Sequence, residues 1–244
     1  MASLDKKHKI ALLMIVKDES HIIARTLEML HEKIRFDYWV ISDTGSSDNT
    51  STIITETMEK LKVQGELIHR EWKDFSTNRN HCIEIAESIT DYMFFFDADD
   101  DIRGKPIIPN TLTAPVYSFM FGPNLTYRRN MLVKTDRTWR YEGVLHESIG
   151  TKTFSPPTLI DGDYWIIHGT TGNRSRNPNK YADDAEVLKN ALEDPKCPEH
   201  LKGRYAFYCA RSYRDSGNHW EALEWYEKCI EMNGWNQEKY IACI

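Results

Sequence analysis

An α/β fold, in which helices wrap a mostly parallel central sheet, is the class that this 244-residue sequence predicts. Strand and helix patterns alternate through its first hundred residues, an order that favours parallel strands joined by helical crossovers. The strand segments are continuous apolar runs, as expected of strands buried on both faces. Polar clusters directly follow several of these runs, at the edge of a parallel sheet where ligands bind.

Four strands and three helices are predicted in this first part. The strand at 10–16 is apolar throughout, and the strand at 92–96 ends in three phenylalanines. Ser20 and Asp48 are placed to cap the first two helices. The other elements are strands at 38–42 and 65–69, and helices at 23–30, 53–61 and 80–89.

After residue 105 the pattern changes to an α+β elaboration that we expect to cover the site. Its strands are predicted at 116–121, 131–134 and 164–167, followed by a helix at 181–192.

The tail after residue 193 predicts a small all-α appendage, with helices at 204–215, 219–231 and 237–244. Its small and aromatic residues fall at positions typical of a tetratricopeptide repeat: Ala210, Tyr213, Ala222, Tyr226 and Cys229. One such repeat cannot bury its own apolar face, so we expect docking, a homodimer or a partner. The predicted domains are therefore 1–193 and 194–244, with the natural chain continuing beyond Ile244.

The composition argues against several classes of protein. A net charge of −6 is unsuited to non-specific binding of nucleic acid. The apolar run at 10–16 is too short for a membrane span and lacks a cleavage site, so neither a span nor a signal peptide is predicted. We therefore expect a cytoplasmic protein.

The strongest motif is the acidic cluster that follows the fourth strand. Residues 94–101 read Phe-Phe-Phe-Asp-Ala-Asp-Asp-Asp. Carboxylates this close repel one another unless a cation shares them. Oxygen ligands of this kind suit Mg²⁺ or Mn²⁺ bound together with substrate phosphates. The alternative is an exposed acidic turn that caps the next element.

A second motif, Asp-Thr-Gly-Ser-Ser-Asp-Asn-Thr at 43–50, follows the second strand. Asp43 lies at the strand end, where its carboxylate can hydrogen-bond the edge of a nucleobase. The alternative for the rest of the motif is a strand-to-helix turn rich in capping residues. Glu19 belongs to the corresponding polar cluster after the first strand.

In this order, these motifs resemble the family 2 glycosyltransferases of the GT-A fold, in the branch with trailing tetratricopeptide-like helices. The resemblance is carried by the blocks 11–19, 39–50, 72–80 and 96–100, and more weakly by 140–147.

The resemblance implies a donor site for a nucleotide sugar. Val16 would contact the base through its backbone, beside Asp43. Arg79 would support the base or a phosphate; the alternative is a charge on a helix surface. The remaining implied donor contacts are Glu19, Asp97 at the ribose and Ala98 next to it, while Asp99 would bind the metal.

The resemblance also implies a carboxylate base for the acceptor hydroxyl, for which Glu147 is the candidate. The usual family pair here is Glu-Asp, whereas this chain has His146-Glu147, and a surface glutamate is the alternative. His146 would orient the base or touch the donor. His168 would be an additional metal ligand, or a lone histidine in a glycine turn.

Lys180, with Arg174 and Arg176, could form a lid over the diphosphate; a solvated basic loop is the alternative.

The predicted reaction is transfer of a hexose, from a UDP-sugar, to an acceptor hydroxyl with inversion, using Mn²⁺ or Mg²⁺. The acceptor could be a glycan, a protein or a lipid. An Asp-x-Asp phosphatase is disfavoured, because its motif follows the first strand rather than the fourth. The remaining alternative is a catalytically degenerate GT-A domain that serves as a nucleotide-sugar-binding or protein-interaction module.

Overall fold

The computed structural model describes residues 8–232 and 234–243, which divide into two compact units. The sheet unit contains the residues up to 73 together with 77–141 and 149–173. The helical unit contains 74–76, 142–148 and the residues from 174 onward. The predicted domain boundary between residues 193 and 194 stays a prediction.

The sheet unit is built on a nine-stranded sheet. Its strands are β1 (Ile10–Val16), β2 (Tyr38–Asp43), β3 (Gln64–His69), β4 (Tyr92–Phe95), β5 (Asp101–Ile107), β6 (Val116–Phe121), β7 (Tyr127–Lys134), β10 (Thr158–Leu159) and β11 (Asp161–Ile167). A separate two-stranded sheet pairs β8 (Arg140–Glu142) with β9 (Ser148–Gly150).

The order β3-β2-β1-β4 forms a parallel half of the sheet. It continues through β7, β6, β11 and β5, where the β4–β7, β7–β6 and β11–β5 pairs are antiparallel. Within the parallel half, Val16 is in register with Asp43, so β1 and β2 end level with each other. The polar residues that follow these strands therefore emerge at one edge.

Three helices flank the parallel half: α1 (Ile23–Lys33), α2 (Thr50–Leu61) and α3 (Phe75–Ala86). The apolar residues Ile23, Leu27 and Leu30 of α1 are fully buried, as their helical spacing predicts. The capping prediction for Ser20 is wrong, because α1 begins after Ile22 without a side-chain cap. Asp48 accepts the backbone N–H of Thr50 at the start of α2.

Several elements differ from the sequence prediction, among them α3 and β5. α3 begins at Phe75, five residues before the predicted start, because Asn78 accepts the N–H of Lys73 (3.1 Å) and donates to the carbonyl of Glu71 (3.3 Å). β5 was not predicted, since it contains charges, Gly104 and Pro106. It pairs with β11 along its whole length and lies at the sheet edge, where such residues are tolerated.

The helical unit contains α4 (Lys180–Glu193), α5 (Glu199–Asp215), α6 (His219–Glu231) and α7 (Asn236–Ala242). The predicted helices all appear, and α5 begins earlier than expected, directly after Pro198. A common core holds the buried residues Ala185, Leu188, Tyr205, Ala210 and Cys229. The tetratricopeptide assignment stays a prediction, and Ile244 lies outside the described residues.

The predicted fold class is confirmed: a mostly parallel α/β sheet is flanked by helices, and a helical region follows it. In the part of the chain that the structure describes, no helix combines the length and apolar character needed to cross a bilayer.

Candidate functional site

Asp43 is the last residue of β2, and its carboxylate accepts hydrogen bonds from the loop that follows. Its Oδ1 accepts the backbone N–H groups of Gly45 (3.0 Å) and Ser46 (2.7 Å), and its Oδ2 accepts the hydroxyl of Ser51. The residue is only 2% exposed. Asp43 thus holds the shape of the loop from within, and contact with a nucleobase stays a prediction for it.

Asp18 organises the same loop from the end of β1. Its Oδ1 accepts the backbone N–H of Ser47 (2.6 Å) and Asp48 (3.3 Å), while its own N–H donates to Ser46 Oγ (2.9 Å). Its φ of 55° lies in the left-handed region, which Asp tolerates better than most residues. Asp18 was not among the predicted site residues, although it lies in the polar cluster 17–19 that follows the first strand.

The backbone of Val16 and the side chain of Glu19 are both engaged near these loops. The carbonyl of Val16 accepts the N–H (2.9 Å) and the hydroxyl (3.0 Å) of Thr44. Glu19 is 9% exposed, and its Oε1 accepts the N–H of Asn173 at 3.1 Å. The backbone of Val16 therefore ties the ends of β1 and β2 together.

Asp97 lies between two arginines. Arg79 of α3 donates to its Oδ1 (2.6 Å), and Arg129 of β7 donates to its Oδ2 (3.2 Å). Although burial opposes ionisation, these two guanidinium groups hold the pKa of Asp97 well below its ordinary value. The triad of Asp97, Arg79 and Arg129 carries one net positive charge. It lies next to the other carboxylates of residues 97–101, called the acidic loop below.

Arg129 was missed by the sequence analysis, because it is one of two adjacent arginines in a segment with no recognisable motif. Arg79 is 5% exposed, and its guanidinium lies 5.3 Å from the ring centroid of Tyr141. The alternative that Arg79 is only a helix-surface charge is therefore wrong.

Each carboxylate of the acidic loop has its own partner. Asp99 Oδ2 accepts the N–H of Gly172 (3.2 Å), and Asp101 pairs with Arg25 (3.2 Å) and Arg103 (2.8 Å). Arginines and backbone N–H groups thus already offset part of the negative charge of the cluster, and a cation shared by its carboxylates stays a prediction. Among the described residues, no arginine pairs with Asp99 or Asp100 of this loop.

Residues 168–173, called the glycine segment below, lie against this loop. A Cβ added to Gly169 would lie 1.9 Å from the carbonyl oxygen of Asp99. One added to Gly172 would lie 2.9 Å from Asp99 Oδ2 and 3.2 Å from Glu19 Oε1. The two carboxylates thus converge on one glycine, in a space that a larger residue would fill.

His168 forms a pair with Asp100. Its Nδ1 lies 3.0 Å from Asp100 Oδ1, which also accepts the N–H of Gly169 at 3.0 Å. The hydrogen bond with Asp100 raises the pKa of His168, and burial raises the pKa of Asp100. Among the described residues, Asp100 Oδ2 is buried without a hydrogen-bond partner.

The predicted residues His146, Glu147 and Lys180 belong to the helical unit. The His146 ring stacks on Tyr208, with centroids 3.9 Å apart and planes 14° from parallel. Glu147 is half-buried in the same segment. Lys180 begins α4, and its ammonium lies 5.5 Å from the ring centroid of Tyr181.

The geometry therefore brings part of the predicted site together. Within the sheet unit, the ends of β1, β2 and β4 and the loops after them carry Val16, Glu19, Asp43, Asp97, Ala98 and Asp99. Arg79 binds Asp97 there, and His168, which follows β11, pairs with Asp100 of the same loop. Across residues 8–232 and 234–243, no three or more His, Cys, Asp or Glu side chains are arranged to hold a metal ion.

A GT-A domain is the class of protein that this sheet and its acidic loop define. The family model described as "Glycosyl transferase family 2" matches residues 11–105, from β1 into β5. The matched segment includes Val16, Asp43, Arg79, Asp97 and Asp99. The match covers 95 of the 244 residues, and for this segment the resemblance to the family 2 glycosyltransferases seen in the sequence is confirmed.

A curated relative, a TPR repeat-containing protein of Synechococcus elongatus, is 35% identical over 95 residues. The match covers 38% of this chain and 21% of that protein, so the chain spans about a fifth of the relative's length.

Two solved structures are also similar. Staphylococcus aureus TarS 1-349, in complex with UDP-GlcNAc, is 11% identical with a TM-score of 0.48, covering 91% of this chain and 81% of that chain. The mannosyltransferase PcManGT of Pyrobaculum calidifontis, in complex with GDP-Man and Mn²⁺, is 12% identical with a TM-score of 0.45. The likeness covers 97% of this chain and 79% of that chain.

Proposed function

We propose that this protein transfers a hexose from a UDP-sugar to an acceptor hydroxyl with inversion. One observation carries the proposal: the segment that matches family 2 contains the acidic loop, and the carboxylates of Asp99 and Glu19 both lie against Gly172 of the glycine segment. Ligands of parallel sheets bind beyond the carboxyl ends of the strands, where these loops lie.

The donor's nucleoside would bind at the loops after β1 and β2. Asp43 already accepts from Gly45, Ser46 and Ser51, but a carboxylate has about four acceptor sites, which leaves capacity for a base N–H. Asp18 and Val16 fix the loop around it. A preformed loop reduces the entropy lost when the nucleoside binds.

The donor's ribose and phosphates would lie beside Asp97. Arg79 and Arg129 keep this carboxylate ionised, so it can accept hydrogen bonds from ribose hydroxyls. The net positive charge of the triad attracts a diphosphate. Because both oxygens of Asp97 are engaged by arginines, Asp97 is not proposed as a metal ligand.

The residues present fit a divalent cation held by Asp99 and His168. His168 engages Asp100 through Nδ1, which is how metal-binding histidines are usually oriented, with Nε2 turned to the ion. Two protein ligands suffice when substrate phosphates supply the rest of the coordination shell. Bound there, Mg²⁺ or Mn²⁺ would neutralise the charge of the leaving diphosphate.

The acceptor would be activated in the segment 142–148. Glu147 is the proposed base that takes the proton of the acceptor hydroxyl as the oxygen attacks the anomeric carbon. His146 is proposed to contact the acceptor next to it. A glycan, a protein or a lipid could supply this hydroxyl.

The direct test is isothermal titration with UDP and Mn²⁺. Asp99→Ala should weaken metal-dependent UDP binding at least about tenfold, which corresponds to about 1.4 kcal/mol. Asp101→Asn is the matched control. Asp101 lies two residues from Asp99 and pairs with the surface side chains of Arg25 and Arg103, so this variant should bind UDP normally. Equal affinity in wild type and Asp99→Ala would remove the metal from the proposal.

The degenerate, non-catalytic module is not favoured, because the acidic loop and the arginine triad are intact. A panel of nucleotide sugars, screened for transfer and for hydrolysis in the presence of Mn²⁺, separates the two functions. Binding of UDP without turnover of any sugar would support the module instead.

A further inference from the structure

The helical unit carries a row of cationic and aromatic side chains on α5. Arg204, Tyr208 and Arg211 are spaced four and three residues apart, so they share one face of the helix. The guanidinium carbons of Arg204 and Arg211 lie 4.9 and 5.9 Å from the ring centroid of Tyr208. We call these three residues the α5 row.

His146 is held against this row by its backbone as well as its ring. Its carbonyl accepts hydrogen bonds from Arg204 Nε (2.9 Å) and Nη2 (2.8 Å). Its φ of 53° lies in the left-handed region, which costs free energy for a residue with a side chain. The double hydrogen bond and the stack on Tyr208 offset that cost and fix the imidazole in place.

Four cations act on His146 electrostatically. They are Arg204, Arg211, Arg174 and Lys180. Arg204 is balanced by Glu238 (3.0 Å), and Arg174 is balanced by Asp184. Arg211 and Lys180 have no carboxylate partner among the described residues. The surroundings of His146 therefore keep an excess of positive charge.

We propose that the α5 row and His146 bind an oxyanion, a phosphate or a carboxylate, carried by the acceptor. Arginine donates two parallel N–H groups to such a group, and an uncharged imidazole adds one more donor. The assignment to the acceptor rests on the proposed function, in which Glu147 touches the acceptor hydroxyl and His146 is its neighbour in the chain. The donor's phosphates have their own cations in Arg79 and Arg129.

The test is histidine-selective NMR of the whole chain, with methyl phosphate and acetate as probes. His146→Gln identifies the ring resonance of His146. Methyl phosphate should shift that resonance in a saturable way, and Arg211→Gln should weaken the fitted affinity about tenfold. Arg211→Lys should lose less affinity than Arg211→Gln, because it preserves the charge but not the paired N–H donors.

Arg214→Gln is the matched control, since Arg214 is on the same helix but is paired with Asp215. It should leave the affinity for methyl phosphate unchanged. An equal loss in Arg214→Gln and Arg211→Gln, or no saturable shift with either probe, would overturn the subsite.

Saturating UDP with Mg²⁺ distinguishes the source of the oxyanion. UDP should neither shift His146 nor compete with methyl phosphate. Competition would show that these cations hold the donor's diphosphate, and would overturn the acceptor assignment. If UDP does not bind the wild type at all, the proposed function fails, while the methyl phosphate result at His146 still decides the subsite.

Discussion

Arg79 donates a hydrogen bond of 2.6 Å to Asp97, and so links helix α3 to the loop after β4. The side chain of Arg79 is 6% exposed and that of Asp97 is 22% exposed. This short ion pair joins in space the third and fourth of the sequence blocks that carry the family resemblance, 72–80 and 96–100. It also explains how a carboxylate inside an acidic cluster remains ionised.

The two arginines of the triad should differ in their contribution to stability. Arg79→Met should lower the free energy of unfolding by about 3 kcal/mol, because it strands a carboxylate in a buried pair. Arg129→Met should cost about 1 kcal/mol, since the Arg129 side chain is 31% exposed and solvent screens its charge. Urea unfolding measures both; equal losses would contradict the difference in burial.

Removing Asp43 should unfold its loop rather than only remove a ligand contact. Asp43→Ala leaves two backbone N–H groups and Ser51 without an acceptor, and should cost about 3 kcal/mol. Ser51→Ala removes one of these hydrogen bonds and should cost about 1 kcal/mol. Urea unfolding and UDP titration should be made together. Asp43→Ala with native stability but no UDP binding would mean that Asp43 acts through direct contact alone.

The two glycines of the glycine segment should respond differently to alanine. Gly172→Ala meets the ends of two side chains, which can shift, so the loss of stability should stay below about 1 kcal/mol. UDP binding with Mn²⁺ should weaken, because Asp99 and Glu19 are pushed apart. Gly169→Ala meets the backbone of Asp99 and should cost about 3 kcal/mol. Thermal melts and titrations compare the pair; a destabilised Gly172→Ala with intact binding would refute the argument.

The stability of the helical unit should depend on His146 in mildly acidic solution. Burial of the stacked ring and the cations Arg204, Arg211, Arg174 and Lys180 lower the pKa of His146 to about 3 from its ordinary 6.5. The unfolded chain therefore binds a proton below pH 6.5 that the folded chain does not. The contribution to stability is fully present above this pH and is lost as the pH falls toward 3.

Melting temperatures of the wild type and of His146→Gln, measured across this range, check the sign. On acidification, the melting temperature of the wild type should fall by more than that of the variant. Parallel curves would show that the ring of His146 titrates normally, open to solvent.

Much of the candidate site could be predicted from the sequence, because many of its residues lie at the ends of strands. Asp43, Asp97 and Asp99 follow apolar runs directly, and parallel strands place their ends at one edge. Arg129 could not be found in this way. Arg129 reaches Asp97 only because β7 pairs antiparallel with β4, and a pairing between distant segments leaves no local pattern.

The sequence by itself determined the α/β class, the four parallel strands and the helical tail, since these depend on hydrophobic periodicity within short windows. Only the tertiary structure decided which polar groups meet: two arginines on Asp97, His168 on Asp100, and Gly172 between Asp99 and Glu19. The physical reason is that the periodicity of buried residues is visible within a short stretch of sequence. The partner of a charged side chain, in contrast, depends on how segments far apart in the chain pack together.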